Sequence, residues 1–379
     1  MAQRIKTDWV LFFTIVAMVS FGLVVVYSAS SIMAEVKYHS SWYVIARQSG
    51  WTVISFIVLL WFKRMDYRRL NQPVWAFAPL GIVLGLMALV IIIDPKVHRW
   101  IHLGSASLQP SELAKPALVI FLAYFINLRS RAINDRHTLG PAWLALAVLA
   151  GSVAMGDFGT ALILVCTAAI VFFVAGLDMK YVFAGVAAAL LVGLVFIAAK
   201  PYRMARIIGF VDPEYTIIDK IDPGGHIKQY VHSSRSTRDP GYQARQSRIA
   251  VGSGGVLGQG LMQGKQKLLY LPEAHTDFIY AVVGEELGLW GCTAVLTGFF
   301  IILWRGLRLF FLAPDAFGKY LALGVTVSIV LQALINISVV LDMGPTKGFP
   351  LPMVSYGGSS LLGTLASLGM LLSVSEHAG

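Results

Sequence analysis

Apolar residues fill this chain in blocks of about the length needed to cross a hydrocarbon core, roughly 20 residues at 1.5 Å each. Such blocks predict helices at 9–27, 43–62, 74–93, 111–127, 141–155, 158–176, 181–199, 277–304, 317–341 and 354–374. Only Gly156 and Asp157 separate the fifth from the sixth. The one long polar interruption, residues 200–276, lies between the seventh and eighth. The pattern predicts an all-α integral membrane protein of about ten transmembrane helices. It forms a single polytopic domain over residues 1–379, with one large loop at 200–276. The first block follows Arg4 and Lys6 as a secretory signal would, but its apolar core is too long for that and reads as an uncleaved anchor.

Composition supports this reading. The chain is 57% hydrophobic and 13% charged, against roughly 25% charged residues in a soluble domain. Cys166 and Cys292 both lie inside apolar blocks, where they read as small buried hydrophobes and not as a disulfide framework or metal cluster. The net charge of +10 is not gathered into a basic module interleaved with aromatics, so nucleic acid is not a partner. Its placement sets topology instead. Lys63, Arg64, Arg68 and Arg69, then Arg129, Arg131 and Arg136, then Arg305, Arg308 and Lys319 occupy short loops on one side, which the positive-inside rule assigns to the cytoplasm with both termini. The loop at 200–276 holds eleven Lys or Arg, but segments of this length escape the rule, and it is expected outside.

That topology gathers Glu112, Lys115, Asp157, Asp277 and Lys347 at the outer face. Charge at membrane depth is costly and usually meets a cavity or a partner. In Gln109-Pro110-Ser111-Glu112, Ser111 is expected to cap the fourth helix, Glu112 to complement its positive end and Lys115 to pair with Glu112 one turn on. Lys115 lies inside the span, where a purely structural design would place an apolar residue. Asp157 is expected to cap the sixth helix between two glycines. Leu271-Pro272-Glu273-Ala274-His275-Thr276-Asp277 places acid, imidazole, hydroxyl and carboxylate at the entry of the eighth helix, more than a cap requires. The glycines at 252–260 do not form a phosphate loop, because no Gly-Lys-Ser/Thr ending follows. Glu285 and Glu286, deeper in the same helix, read as buried structural partners. Pro345, Pro350 and Pro352 predict a rigid segment carrying Lys347 ahead of Ser355-Tyr356-Gly357-Gly358.

Taken together, Gln109 to Lys115, Gly241-Tyr242-Gln243, Ile249 to Gly255, Leu271 to Phe278 and Pro352 to Ser359 resemble the SEDS family of FtsW, RodA and SpoVE peptidoglycan glycosyltransferases. The resemblance runs through all ten predicted helices. Glu273-Ala274-His275 and Pro345-Thr346-Lys347-Gly348 look more like the division branch than the elongation branch. One departure is an enlarged stretch between Asp212 and Gly241, whose contacts the resemblance does not define.

The resemblance implies polymerisation of lipid II at the outer face of the bacterial cytoplasmic membrane. It implies a class B penicillin-binding transpeptidase as partner, with other division or elongation proteins around it. Asp277 matches the family's essential aspartate and is assigned as general base. Glu112, Lys115, Asp157, His275, Thr276, Lys347 and Ser355 are expected to bind substrate, with Arg203, Arg206 and Arg248 as loop cations for the pyrophosphate. No cofactor is required. A divalent cation bridging pyrophosphate to Asp157 or Asp277 is compatible with phosphate chemistry, though the chain offers no dedicated cage. The competing reading is a lipid II flippase, which would place its polar groups at the bilayer midplane. The outer-edge clustering favours the enzyme.

Overall fold

The computed structural model describes residues 7–94, 99–103, 106–212, 216, 218, 222, 224–232, 240–268, 270–345 and 347–378. Its helices in chain order are α1 (Trp9–Tyr38), α2 (Tyr43–Arg64), α3 (Pro73–Ile93), α4 (Pro110–Arg129), α5 (Arg136–Gly156), α6 (Phe158–Val174), α7 (Met179–Ala198), α8 (Pro201–Val211), α9 (His226–His232), α10 (Pro240–Gly254), α11 (Ile279–Leu312), α12 (Ala316–Val340) and α13 (Gly358–Ser375). Among the described residues nine of these are long and apolar enough to cross a membrane, and α6, at 17 residues, is a shorter apolar helix. The ten predicted blocks therefore all appear as helices.

The edges differ from the sequence reading. α1 continues to Tyr38, since no glycine or proline interrupts residues 28–38, and α5 begins at Arg136 and takes Pro141 into its second turn. α11 starts at Ile279, two residues after Asp277, and runs to Leu312 across a break at Gly288, whose φ of 61° leaves the helical region. α13 begins at Gly358, not 354. The described part of the long polar loop contains three helices, α8, α9 and α10. A two-stranded antiparallel hairpin, β1 (Ile101–Leu103) with β2 (Ala106–Leu108), precedes α4 and pairs His102 with Ser107.

With lipid as solvent, helices gain little from hiding apolar surface, so close packing decides which of them become central. The most apolar window of α13 is 89% buried, against 72% for α12, 67% for α4 and none for α7. α13 can approach α2 closely because Gly369 has no Cβ, which would lie 2.6 Å from the Leu59 carbonyl. One apolar cluster joins α1, α2, α11, α12 and α13, and a second joins α3 to α6. α7 contributes no buried residue and flanks the bundle.

One end of the bundle gathers both chain termini. Thr7 Oγ1 donates to Glu376 Oε1 at 3.1 Å, and Lys63 pairs with Glu376 at 3.0 Å. Asp8 pairs with Arg305 at 2.6 Å, while the Tyr67 hydroxyl donates to Asp315. The described N- and C-terminal residues therefore meet at this end. In α11, Glu286 pairs with Lys267 at 2.5 Å and accepts from Ser28, while Glu285 accepts the backbone N–H groups of Lys265 and Gln266. Both glutamates are buried structural partners, and they fasten residues 262–267 beside the Gly288 break.

Candidate functional site

The opposite end is built from helix junctions. Asp157 stands where α5 gives way to α6 and caps α6: Oδ1 accepts the Thr160 N–H at 3.3 Å and Oδ2 accepts the Thr160 hydroxyl at 2.8 Å. Gln109, just before α4, donates its amide to the same Oδ2 at 2.9 Å. Lys347 Nζ lies 3.5 Å from Oδ1, and the Arg99 guanidinium lies 3.7 Å from Oδ2. Burial alone would push this carboxyl up. Lys347 and Arg99, with the Thr160 hydrogen bonds, outweigh it and hold Asp157 at about 2.

Asp277 is presented by a turn in which the Glu273 carbonyl accepts the N–H groups of Thr276, Asp277 and Phe278 at 3.1–3.2 Å. Glu273 takes a φ of 55° to close this turn, a strained conformation for a residue with a Cβ. A Cβ at Gly348 would lie 1.8 Å from Asp277 Oδ2, so only glycine lets the carboxyl rest against that backbone. Burial raises Asp277 to about 7, with Glu273 and Asp157 adding to the effect, while Arg99 and Arg206 oppose it. Lys347 is drawn down to about 8, mainly by burial, because Arg99 and Arg203 offset part of what Asp157 supplies. Two neighbouring carboxyls are thus set far apart: Asp157 stays ionised, while Asp277 exchanges its proton near neutrality.

The remaining expected residues divide by role. Lys115 is buried and bonds to Glu112 Oε2 at 2.7 Å and to Gln332 Oε1 at 2.5 Å, so the expected pairing is present. Glu112 Oε1 has no hydrogen-bond partner. Lys347 packs between Asp157 and the Phe158 ring, 5.0 Å from its centroid. Ser111 is not the helix cap. Gln109 holds that position and donates to the Ser111 hydroxyl. Arg203 donates to the carbonyls of Ala154, Met155 and Phe196 and so closes the end of α5. Arg248 pairs with Asp342 at 3.2 Å. His275 lies against Tyr356, and burial lowers its affinity for a proton, opposed by Glu273 and reinforced by Lys37. Thr276 donates to Glu273. Ser355 accepts the Leu351 N–H at 2.8 Å, shaping the proline-rich loop.

Sequence reasoning gave no site role to Arg99 or Gln109, though both stand in the polar cluster ahead of α4, and missed Gln332 and Asn336. The last two carried a usable signal: polar amides one turn apart within an apolar span. Among the described residues no group of three His, Cys, Asp or Glu side chains is placed to hold a metal ion.

Fold and site define a polytopic membrane protein with a charged centre at one end of its bundle. The chain belongs to the FtsW/RodA/SpoVE family of cell cycle proteins, whose model matches residues 8–379. A relative from Trichlorobacter lovleyi, named "Probable peptidoglycan glycosyltransferase FtsW", is 39% identical across 97% of this chain and 93% of its own length. Stage V sporulation protein E of Bacillus subtilis is 36% identical across 99% of this chain and 99% of its own length. A solved chain described in "Structural coordination of polymerization and crosslinking by a peptidoglycan synthase complex" has a TM-score of 0.73 and 27% identity over 98% of both chains. Thermus thermophilus rod shape determining protein RodA shares the fold, with a TM-score of 0.66 and 24% identity over 98% of this chain and 97% of that one.

Proposed function

We propose that this chain is a peptidoglycan glycosyltransferase that polymerises lipid II into glycan strands in cell division, working at the outer face of a bacterial cytoplasmic membrane. The observation that carries the reading is the split carboxyl pair beneath fixed cations. A sugar hydroxyl attacking an anomeric carbon must lose a proton, and Asp277 near neutrality is suited to take it. A departing pyrophosphate must be met by positive charge. Arg99, whose buried Nε has no hydrogen-bond partner, and Lys347 are suited to meet it, and Arg206 adds to the local field. Asp157, held ionised, keeps Arg99 and Lys347 in place. Glu112, Lys115, His275, Thr276, Ser355, Arg203 and Arg248 are assigned to the surround of this centre, shaping it or contacting the substrate.

The positive-inside distribution supports cytoplasmic termini and an outward position for residues 200–276. The likeness to a chain of a peptidoglycan synthase complex supports a class B penicillin-binding transpeptidase as partner. Purified protein reconstituted with lipid II and a transpeptidase-dead partner should make glycan ladders, and Asp277→Asn should abolish them while the variant still inserts. Normal ladders from Asp277→Asn would refute the assignment.

A further inference from the structure

Two buried amides on α12 do more than fill space. Gln332 and Asn336 lie four residues apart, hence on one helix face, and are 2% and 1% exposed. Asn336 Nδ2 donates to the carbonyl of Asp277 at 2.9 Å and to that of Phe349 at 2.8 Å. Using both hydrogens on two carbonyls fixes the orientation of the amide, because the reverse would face oxygen to oxygen. Gln332 Nε2 donates to the carbonyl of Pro350 at 2.8 Å, and its Oε1 accepts from Lys115 at 2.5 Å. The turn that presents Asp277 and the loop that presents Lys347 therefore share one anchor, and a second anchor joins that loop to the Glu112–Lys115 pair.

We infer that Asn336 and Gln332 are positioning residues that set the Asp277 carboxyl against the Lys347 loop. This deepens the glycosyltransferase reading and rests on it. Neither the 273–278 turn nor the proline-rich loop is a regular element; the Tyr356 N–H donates to the His275 carbonyl at 3.0 Å at the far end of the loop, and the two amides hold the stretch at Phe349 and Pro350, next to Lys347. The ordinary alternative is that the amides only satisfy carbonyls of broken segments at membrane depth. That role would lower stability and leave the remaining folded protein fully active.

The two roles separate experimentally. Asn336→Ala in reconstituted protein should lower kcat about 100-fold with KM within about threefold, the scale of a misplacement near 1 Å. Gln332→Met adds no charge beside the Glu112–Lys115 pair and loses the donor to Pro350, so it should lower kcat in the same direction. Asn336→Ser, which retains one donor, should recover part of the Asn336→Ala defect. Thr326→Ala is the control: it removes a buried hydrogen bond of the same helix to Ala322 and should cost stability alone. A second measurement does not depend on turnover. A Cβ on Gly348 would lie 3.5 Å from the Asp277 Cβ, within disulfide range. The Asp277→Cys, Gly348→Cys pair should therefore oxidise readily, and about tenfold more slowly with Asn336→Ala added, but at an unchanged rate with Thr326→Ala. Unchanged cross-linking in the Asn336→Ala background overturns the inference whether or not the wild type polymerises lipid II. Unchanged kcat in an active wild-type background overturns it as well. Loss of turnover from the wild type itself sinks the glycosyltransferase reading and leaves the cross-linking result to decide the positional one.

Discussion

At the scale of single residues, the centre works through unequal carboxyls. Asp277 must be deprotonated to accept a proton and Lys347 must be charged to hold an anion, so kcat/KM should rise with pH through about 7 and fall through about 8. Lys347→Arg should remove the alkaline limb, since guanidinium stays charged, and leave the acid limb in place. A pH–rate profile of each protein checks this. The same shift has a stability consequence of opposite sense. Asp277 is raised from its ordinary value, so the native state holds its proton more tightly and loses stability as pH climbs from about 4 to about 7. Asp277→Asn should flatten that decline in thermal melts while lowering turnover at least about 100-fold, the range of a lost general base. Lys347→Ala leaves Asp157 with Arg99, Gln109 and Thr160. It should raise KM about tenfold with little change in melting temperature, the scale of one charge-assisted contact.

At the scale of elements, α4 carries a buried charge pair in its first turns. Lys115 and Glu112 are 6% and 1% exposed, so removing either partner strands the other in a dry environment. Lys115→Ala should destabilise the bundle by about 3–5 kcal/mol, and Glu112→Gln should resemble it. The double variant Glu112→Gln, Lys115→Met should be more stable than either single one, because no charge is left behind. Melting of the three proteins in detergent decides between this and a pair that contributes nothing. α12 shows what a spanning helix does when irregular chain must be held at membrane depth: it lends side-chain amides to carbonyls that no ladder serves.

At the scale of the whole molecule, both termini join one end and the charged centre lies among the junctions of the other. A cysteine replacing Arg129 should be labelled by a membrane-impermeant maleimide only from the cytoplasm, and one replacing Gly224 only from outside. Labelling of both from the same side would undo the single-face arrangement on which the proposed mechanism depends.

The hydrophobic pattern alone determined the ten helices, because lipid requires each crossing to satisfy its own backbone and so leaves a run of about 20 apolar residues in the chain. Local chemistry was legible too: Asp157 as the cap of α6, Lys115 paired one turn from Glu112, and Glu285 and Glu286 as buried partners all follow from spacing within a few residues. Helix ends were less so, as at Ser111, because capping depends on where the preceding chain turns, and here β1 and β2 deliver Gln109 to that place. Only the tertiary structure decided which charges meet. Arg99, Asp157 and Lys347 stand far apart in sequence, and Coulomb energy depends on a separation that no periodicity records. It also decided what Gln332 and Asn336 are for, since their partners are carbonyls, which every residue has and no sequence motif distinguishes.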